Sequence, residues 1–190
     1  FLHHHLCHSY SPIGFFNLHK EKEPILVITQ DGEGDLLCGI NGIYENGKYT
    51  VLDSTSFIDS SAFIYASITQ YLGMKIMEHE HKVMGLEAYP PREYGMKIYE
   101  KKFKDLVTIK DGKIIMKYKT FLVPIYTEVI LKDLLFRERF DNIAFGVQNL
   151  IEEKITEFVR QNIEKYKIRN LAFSGGLFMN VKLNKKIQEM

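Results

Sequence analysis

The chain is poor in the features that would assign it quickly. It has two cysteines, Cys7 and Cys38, in 190 residues, too few for a disulfide framework, so a chain with reduced thiols in the cytoplasm is the expectation. No apolar run reaches the ~18 residues needed to span a bilayer; the stretch Phe121 to Phe136 is interrupted by Pro124, Glu128, Lys132 and Asp133. There is no signal-peptide pattern, internal repeat or low-complexity linker. Basic and acidic residues balance at 25 and 24, net charge +1, which provides no field for nucleic acid or an anionic membrane. Neither a Walker A sequence nor GxGxxG occurs, so a nucleotide would have to bind in another kind of fold.

What is present is globular. Apolar residues make up 45% and aromatics 13%, enough for the core of one medium domain or two small lobes. The first residue is Phe and the last segment ends inside a helical pattern, so a piece of a longer protein is expected.

Pro24 to Thr29 reads as a buried strand running into the turn Asp31-Gly32-Glu33-Gly34-Asp35. Leu36 to Tyr44 and Lys48 to Leu52 flank Asn46-Gly47, the strongest short hairpin signal. Asp111-Gly112 joins a second hairpin from Val107-Thr108-Ile109 and Ile114-Ile115-Met116. Ser60 can cap a helix that carries Ile64, Tyr65, Ile68 and Leu72 on one face, with Gly73 to end it. Lys82 to Tyr89 reads as a short helix stopped by two prolines. From Asp141 to Tyr166 the apolar residues follow the 3.6 period as one long amphipathic helix. The strand Arg169 to Phe173, the loop Ser174-Gly175-Gly176 and a helix containing Asn180 and Asn184 complete an α/β or mixed α+β architecture.

The N-terminus, FLHHHLCHSYSP, places four of the chain's seven histidines in its first eight residues. A purification tag would have a longer unbroken run. In a helix, His4 and His8 lie on one face about 5–6 Å apart at Cβ, a spacing that suits two imidazoles on one ion. In a strand the same pair would be on the order of 13 Å apart. The ligand reading therefore requires a helix here, ended near Pro12 and Gly14. His5 and His8 would also share a face, so spacing does not choose the pair. The rival cluster Glu78-His79-Glu80-His81 has the alternating pattern of an exposed segment. A divalent ion also needs an anionic ligand, and Asp31, at the end of a buried strand in a glycine turn, is the natural candidate. Two imidazoles and a carboxylate suit iron, manganese or zinc better than calcium.

Ser174-Gly175-Gly176, between a strand and a helix, can offer backbone N–H groups to an anion. Asn180 and Asn184 follow one turn apart. Gly32 and Gly34 form a second glycine turn where a phosphate could sit. Either loop can equally be a plain structural turn.

Taken in order, HHLCHSYSP, VITQDGEGD, SSAFIYASITQYLG, EHKVMGLEAYP, DNIAFGVQNLIEE and LAFSGGLFMNVKLNKKI resemble the carbamoyltransferase family of nodulation-factor and antibiotic O-carbamoyltransferases. The resemblance spans nearly the whole chain. It implies an actin-like ATPase (RNase H-like) domain fragment with a mixed sheet, two hairpins and flanking helices. It is similar to the tRNA threonylcarbamoyl-transfer protein and to part of the hydrogenase-maturation carbamoyltransferase. Residues 1–140 would form a metal-site lobe with an inserted hairpin, and 141–190 the start of a second lobe. The implied metal ligands are His4, His8 and Asp31, which resolves the histidine choice in favour of His4, with Fe2+ the implied ion and Mn2+ or Zn2+ as alternatives. The implied nucleotide contacts are Gly175, Gly176 and Asn180, with Gly32, Gly34 and Ser174 beside them. The implied donor is carbamoyl phosphate, converted with ATP to a carbamoyl-adenylate, and the acceptor is a hydroxyl of a small molecule. No residue is assigned a catalytic role. Nucleic acid and membrane are not expected as partners, and the resemblance leaves room for a homodimer.

The chain departs from the family pattern in a longer gap between the histidines and Asp31, at Asn17 to Glu23, and in His81 where the family has glycine. The family also carries N-terminal strands before the histidines, a further metal-binding aspartate beyond residue 190, and a separate lobe that makes the adenylate. The isolated 190 residues are therefore expected to be incomplete and inactive. Two other functions stay open: phosphoryl transfer of the sugar-kinase type, which would release ADP, and a non-enzymatic metal- and nucleotide-binding scaffold. A metallopeptidase is disfavoured, because HHLCH has no glutamate beside its first histidine to act as general base.

Overall fold

A computed structural model describes residues 2–119 and 124–190. The interrupted stretch that starts at Phe121 therefore begins outside the described residues, and its remainder carries helix α5 (Pro124–Leu134). Among the described residues no helix is long and apolar enough to cross a membrane.

The architecture is mixed α/β. Strands β1 (Ile25–Thr29), β2 (Leu37–Glu45), β3 (Lys48–Ser56) and β6 (Leu171–Ser174) form a four-stranded sheet in the order β3-β2-β1-β6. β1 runs antiparallel to β2 and parallel to β6. β4 (Val107–Lys110) and β5 (Lys113–Met116) make a separate hairpin. Both glycine-containing hairpin turns form where the sequence predicts them, with positive φ at Asn46, Gly47, Asp111 and Gly112.

β1 is buried at all five positions, and alternation divides its side chains between two cores. Ile25 and Val27 join Ile13 of helix α1 (His4–Phe15), with Ile40, Tyr44, Tyr49 and Ala172. Leu26 and Ile28 join the larger core on the other face, built around helix α2 (Ser61–Tyr71) and helix α6 (Phe140–Tyr166). Along α6, Ile143, Val147, Leu150, Ile151, Ile155, Phe158 and Val159 are buried, the apolar stripe that its 3.6 period predicts. One buried polar joint crosses this interface. Asn41 of β2 donates to Asn162 of α6 at 2.9 Å, and Asn162 donates onward to the Gly112 carbonyl at 3.1 Å.

Several bounds differ from the sequence reading. α1 runs through Pro12 and ends at Phe15, one residue past Gly14; Pro12 gives up its own N–H bond, and the turn continues as Phe16 donates to the Pro12 carbonyl. Helix α3 covers Glu80–Leu86, helix α4 (Arg92–Ile98) follows the prolines, and it passes into a π-helical turn at Tyr99–Phe103. Helix α7 (Val181–Gln188) begins one residue after Asn180, which caps it rather than lying within it.

Parallel pairing of β1 with β6, in the register Thr29 opposite Ser174, brings two loops to the same sheet end. Ligands of open α/β sheets characteristically bind outside the carboxyl ends of parallel strands. The loop after β1 carries Asp31, the loop after β6 carries Gly175 and Gly176, and the first turn of α1 reaches the same place.

Candidate metal centre

The two loops interlock tightly. Gly175 has φ +98, and a Cβ there would meet the Gln30 carbonyl oxygen at 2.2 Å, so only glycine allows this crossing. Gln30 donates its amide to the Ser174 carbonyl at 3.0 Å and accepts from the Leu177 amide at 3.2 Å. Asp31 donates its amide to the Cys38 carbonyl at 2.7 Å, and its own carbonyl accepts from the Ser60 hydroxyl at 3.0 Å. Ser60 also accepts from the Phe63 amide at 3.3 Å and so caps α2, as the sequence predicts.

The Asp31 carboxylate is thereby fixed in direction. Oδ1 accepts the Gly32 amide at 2.7 Å, and the Gly176 amide lies close enough to favour the charged carboxylate. Oδ2 points to the histidines, 2.8 Å from His8 Nε2 and 3.6 Å from His4 Nε2. The two imidazole nitrogens are themselves 3.0 Å apart. Burial would raise the carboxyl pKa, but the Gly32 amide, His8, the Gly176 amide and His4 together outweigh it and hold it below the ordinary 3.8. His8 Nδ1 lies 3.4 Å from the Ser174 hydroxyl, the usual kind of outer partner for a ligating imidazole.

These three groups fit a divalent cation. Bonds of ~2.1 Å meeting near right angles hold ligand atoms ~3 Å apart, close to the 2.8, 3.0 and 3.6 Å found. Among the described residues theirs is the one group of three or more His, Cys, Asp and Glu donors that converges. The rival segment does not converge: the His79 ring accepts from the Lys75 amide, Glu80 accepts from the Met77 amide, and Glu78 pairs with Lys75.

His5 faces the other way. It is fully buried, with Nε2 3.0 Å from the Leu37 carbonyl and Nδ1 3.2 Å from the Thr29 hydroxyl. A carbonyl only accepts, so Nε2 carries a proton, while Nδ1 faces the Thr29 hydroxyl, which also lies 3.2 Å from the Ile40 carbonyl. Burial pushes this imidazole below its ordinary 6.5. Sequence spacing could not separate His4 from His5; a helix packed on a sheet does, by turning one into the core and the other to the loop.

The glycine-loop residues divide. Gly32, Gly176 and Asn180 line a cavity of about 330 Å3 that reaches Asp31, with Phe63, Tyr65 and His81 on its other walls. Gly34 is committed elsewhere, its amide donating to the Leu37 carbonyl at 2.8 Å and its Cα lying against the His4 ring. The Asn180 side chain accepts from the Leu183 amide and exchanges two hydrogen bonds with Gln148. Asn184 donates to the Phe178 carbonyl at 2.7 Å, so both asparagines serve as intrachain anchors. Gln148, which accepts from Tyr65 at 2.9 Å, had no signal in the sequence beyond its place on α6. A larger trough of about 750 Å3 lies between α6 and β4, lined by interleaved charges such as Lys104, Glu153 and Arg160, and does not reach the histidines.

The chain is similar to an uncharacterized protein of Methanocaldococcus jannaschii, at 33% identity over all of this chain and 36% of that protein. It is similar to the nodulation protein NolNO of Sinorhizobium fredii, at 27% identity over 98% of this chain and 27% of that protein. It also resembles the nodulation protein NolO of Bradyrhizobium diazoefficiens, at 24% identity over 98% of this chain and 33% of that protein. The chain thus spans about a third of the length of these relatives. The family model described as Carbamoyltransferase N-terminus matches residues 1–190, and the chain belongs to that family.

Proposed function

We propose that this domain serves a metal-assisted carbamoyl transfer from a carbamoyl-adenylate to a hydroxyl of a small-molecule acceptor. The observation that carries the reading is the meeting of His4 Nε2, His8 Nε2 and Asp31 Oδ2 beside a cavity that Gly32, Gly176 and Asn180 also line. The family membership supports carbamoyl chemistry.

The three side chains would hold a divalent cation, with Fe2+ implied by the resemblance and Mn2+ or Zn2+ equally open to the donor set, whose charge would polarise carbamoyl or phosphate oxygens. The protein's own contribution is orientation. The Gly32 amide holds one Asp31 oxygen and directs the other at the histidines, and the Ser174 hydroxyl stands beside the His8 ring. In the transfer the acceptor oxygen bonds to that carbon, the bond from carbon to phosphate oxygen breaks, AMP leaves with the electron pair, and the hydroxyl proton is lost to base. ATP and carbamoyl phosphate would supply the adenylate in the full-length protein.

The test is product analysis. Full-length protein given ATP, carbamoyl phosphate and a panel of hydroxylated acceptors is expected to release AMP, and His4→Ala or Asp31→Ala to lower that release by more than roughly 100-fold, beyond what loss of an outer partner does. ATP consumption yielding ADP alone, or undiminished AMP release by both variants, would overturn the reading.

A further inference from the structure

The first turn of α1 lacks any capping of its own. His3 stands at the N-cap without a side-chain hydrogen bond, and no acidic residue occupies the first turn, although the leading N–H groups of a helix need partners. The partner comes from across the molecule: Asp35 Oδ2 accepts the His4 amide at 2.6 Å.

Asp35 reaches that position through an unusual turn. Gly34 and Leu37 exchange backbone hydrogen bonds at 2.8 and 3.1 Å, and the residues between them, Asp35 and Leu36, have φ +53 and +63. Two positive φ values define a type I′ turn, which ordinarily takes Asn-Gly. A left-handed leucine is strained, and no burial offsets the strain, because Leu36 is 67% exposed. The same turn holds α1 at two further points. The His4 ring lies directly against Gly34, and His5 Nε2 donates to the Leu37 carbonyl. Three contacts thus join one strained turn to the helical turn that bears His4, and the turn belongs to the loop that bears Asp31.

We propose that Asp35 is a positioning residue of the metal centre: by capping α1 it sets His4 and His8 at bonding distance from Asp31. The inference rests on the metal reading above. Asp35 is not itself a ligand on this geometry, since its carboxylate is engaged by the His4 amide and lies 3.7 Å from His3 Nδ1.

Asp35→Gly removes the carboxylate while suiting the positive φ, so the turn is retained. Asp35→Asn keeps an oxygen that can accept the His4 amide. Co2+ titration of the full-length protein, followed by the visible absorption of the bound ion, separates the possibilities. Asp35→Gly is expected to weaken Co2+ binding at least tenfold, with Asp35→Asn within threefold of the unaltered protein. Asn162→Ala, destabilised at a distance from the site, is expected to bind as the unaltered protein does. Unchanged affinity in Asp35→Gly overturns the proposal. Equal loss in Asp35→Gly and Asp35→Asn, down to the level of His8→Ala, overturns it in favour of direct ligation. Failure of the unaltered protein to bind Co2+, or undiminished binding by His8→Ala, instead removes the metal reading on which it stands.

Discussion

Gly34 lies so close beneath the His4 imidazole that a Cβ there would sit 2.2 Å from the ring's Cδ2. The contact explains why a glycine stands at a position whose φ is not positive: the space is taken by the His4 side chain. His4 is partly exposed, at 41% of its side chain, so it can swing outward when crowded. The His4 Cβ, 2.8 Å from the same point, cannot move with the ring, so Gly34→Ala is expected to cost about 1–3 kcal/mol, the range for overpacking. Metal affinity is expected to fall by roughly 10–100-fold, the range of outer-shell changes. Thermal melting and metal content of the purified variant check the two halves separately.

The Asn41–Asn162 joint offers a stability test with no direct consequence for the site. Asn162→Ala strands the Asn41 amide and the Gly112 carbonyl in a buried interface. At about 1–3 kcal/mol for each of the two orphaned groups, a loss of about 2–6 kcal/mol is expected in urea unfolding. Replacing both asparagines by leucine is expected to cost less than the sum of the two single changes, because neither partner is then left unpaired.

Acid sensitivity is expected from Asp53. Burial would raise its carboxyl pKa, but the hydrogen bond and charge of Lys165, the Ser54 amide and Lys113 outweigh that and hold it below 3.8. The ion pairs join β3 to α6 at 3.0 Å and to β5 at 3.3 Å. A folded pKa below the unfolded one means the contribution is present above the ordinary carboxylate range and is lost as pH falls through the folded value. Asp53→Asn should thus show lower stability than the unaltered protein at pH 6 and a smaller gap near pH 3. A gap that stays constant with pH would show that the pairs contribute nothing through charge.

Much of this was legible in the sequence where the determinants are local. Asn46-Gly47 and Asp111-Gly112 fix their hairpins because few other pairs tolerate two positive φ values. Ser60 caps α2 for the same local reason, and α6 shows its buried face directly as a period. His4, His8 and Asp31 come together in space, because helical spacing handles the first two and strand termination the third. What escaped was set at long range. Asp35-Leu36 does not look like a type I′ turn, since its strain is held in place by contacts with α1. The inward orientation of His5 depends on which face of α1 meets β1 and β2. Asn180 and Asn184 were visible as residues, but their partners, Gln148 and the Phe178 carbonyl, depend on packing against α6 and on a 3₁₀ turn at Gly176–Met179.

One amide has a consequence for how occupants would communicate. The Gly176 N–H that favours the charged form of Asp31 belongs to the loop proposed to meet an anion. A phosphate drawing that N–H toward itself would loosen the carboxylate, while an ion pulling on the other carboxylate oxygen would alter what the loop can offer. Reciprocity then requires that each occupant change the other's affinity by the same factor, so filling order and filling strength are thermodynamically inseparable at this hinge of two strands.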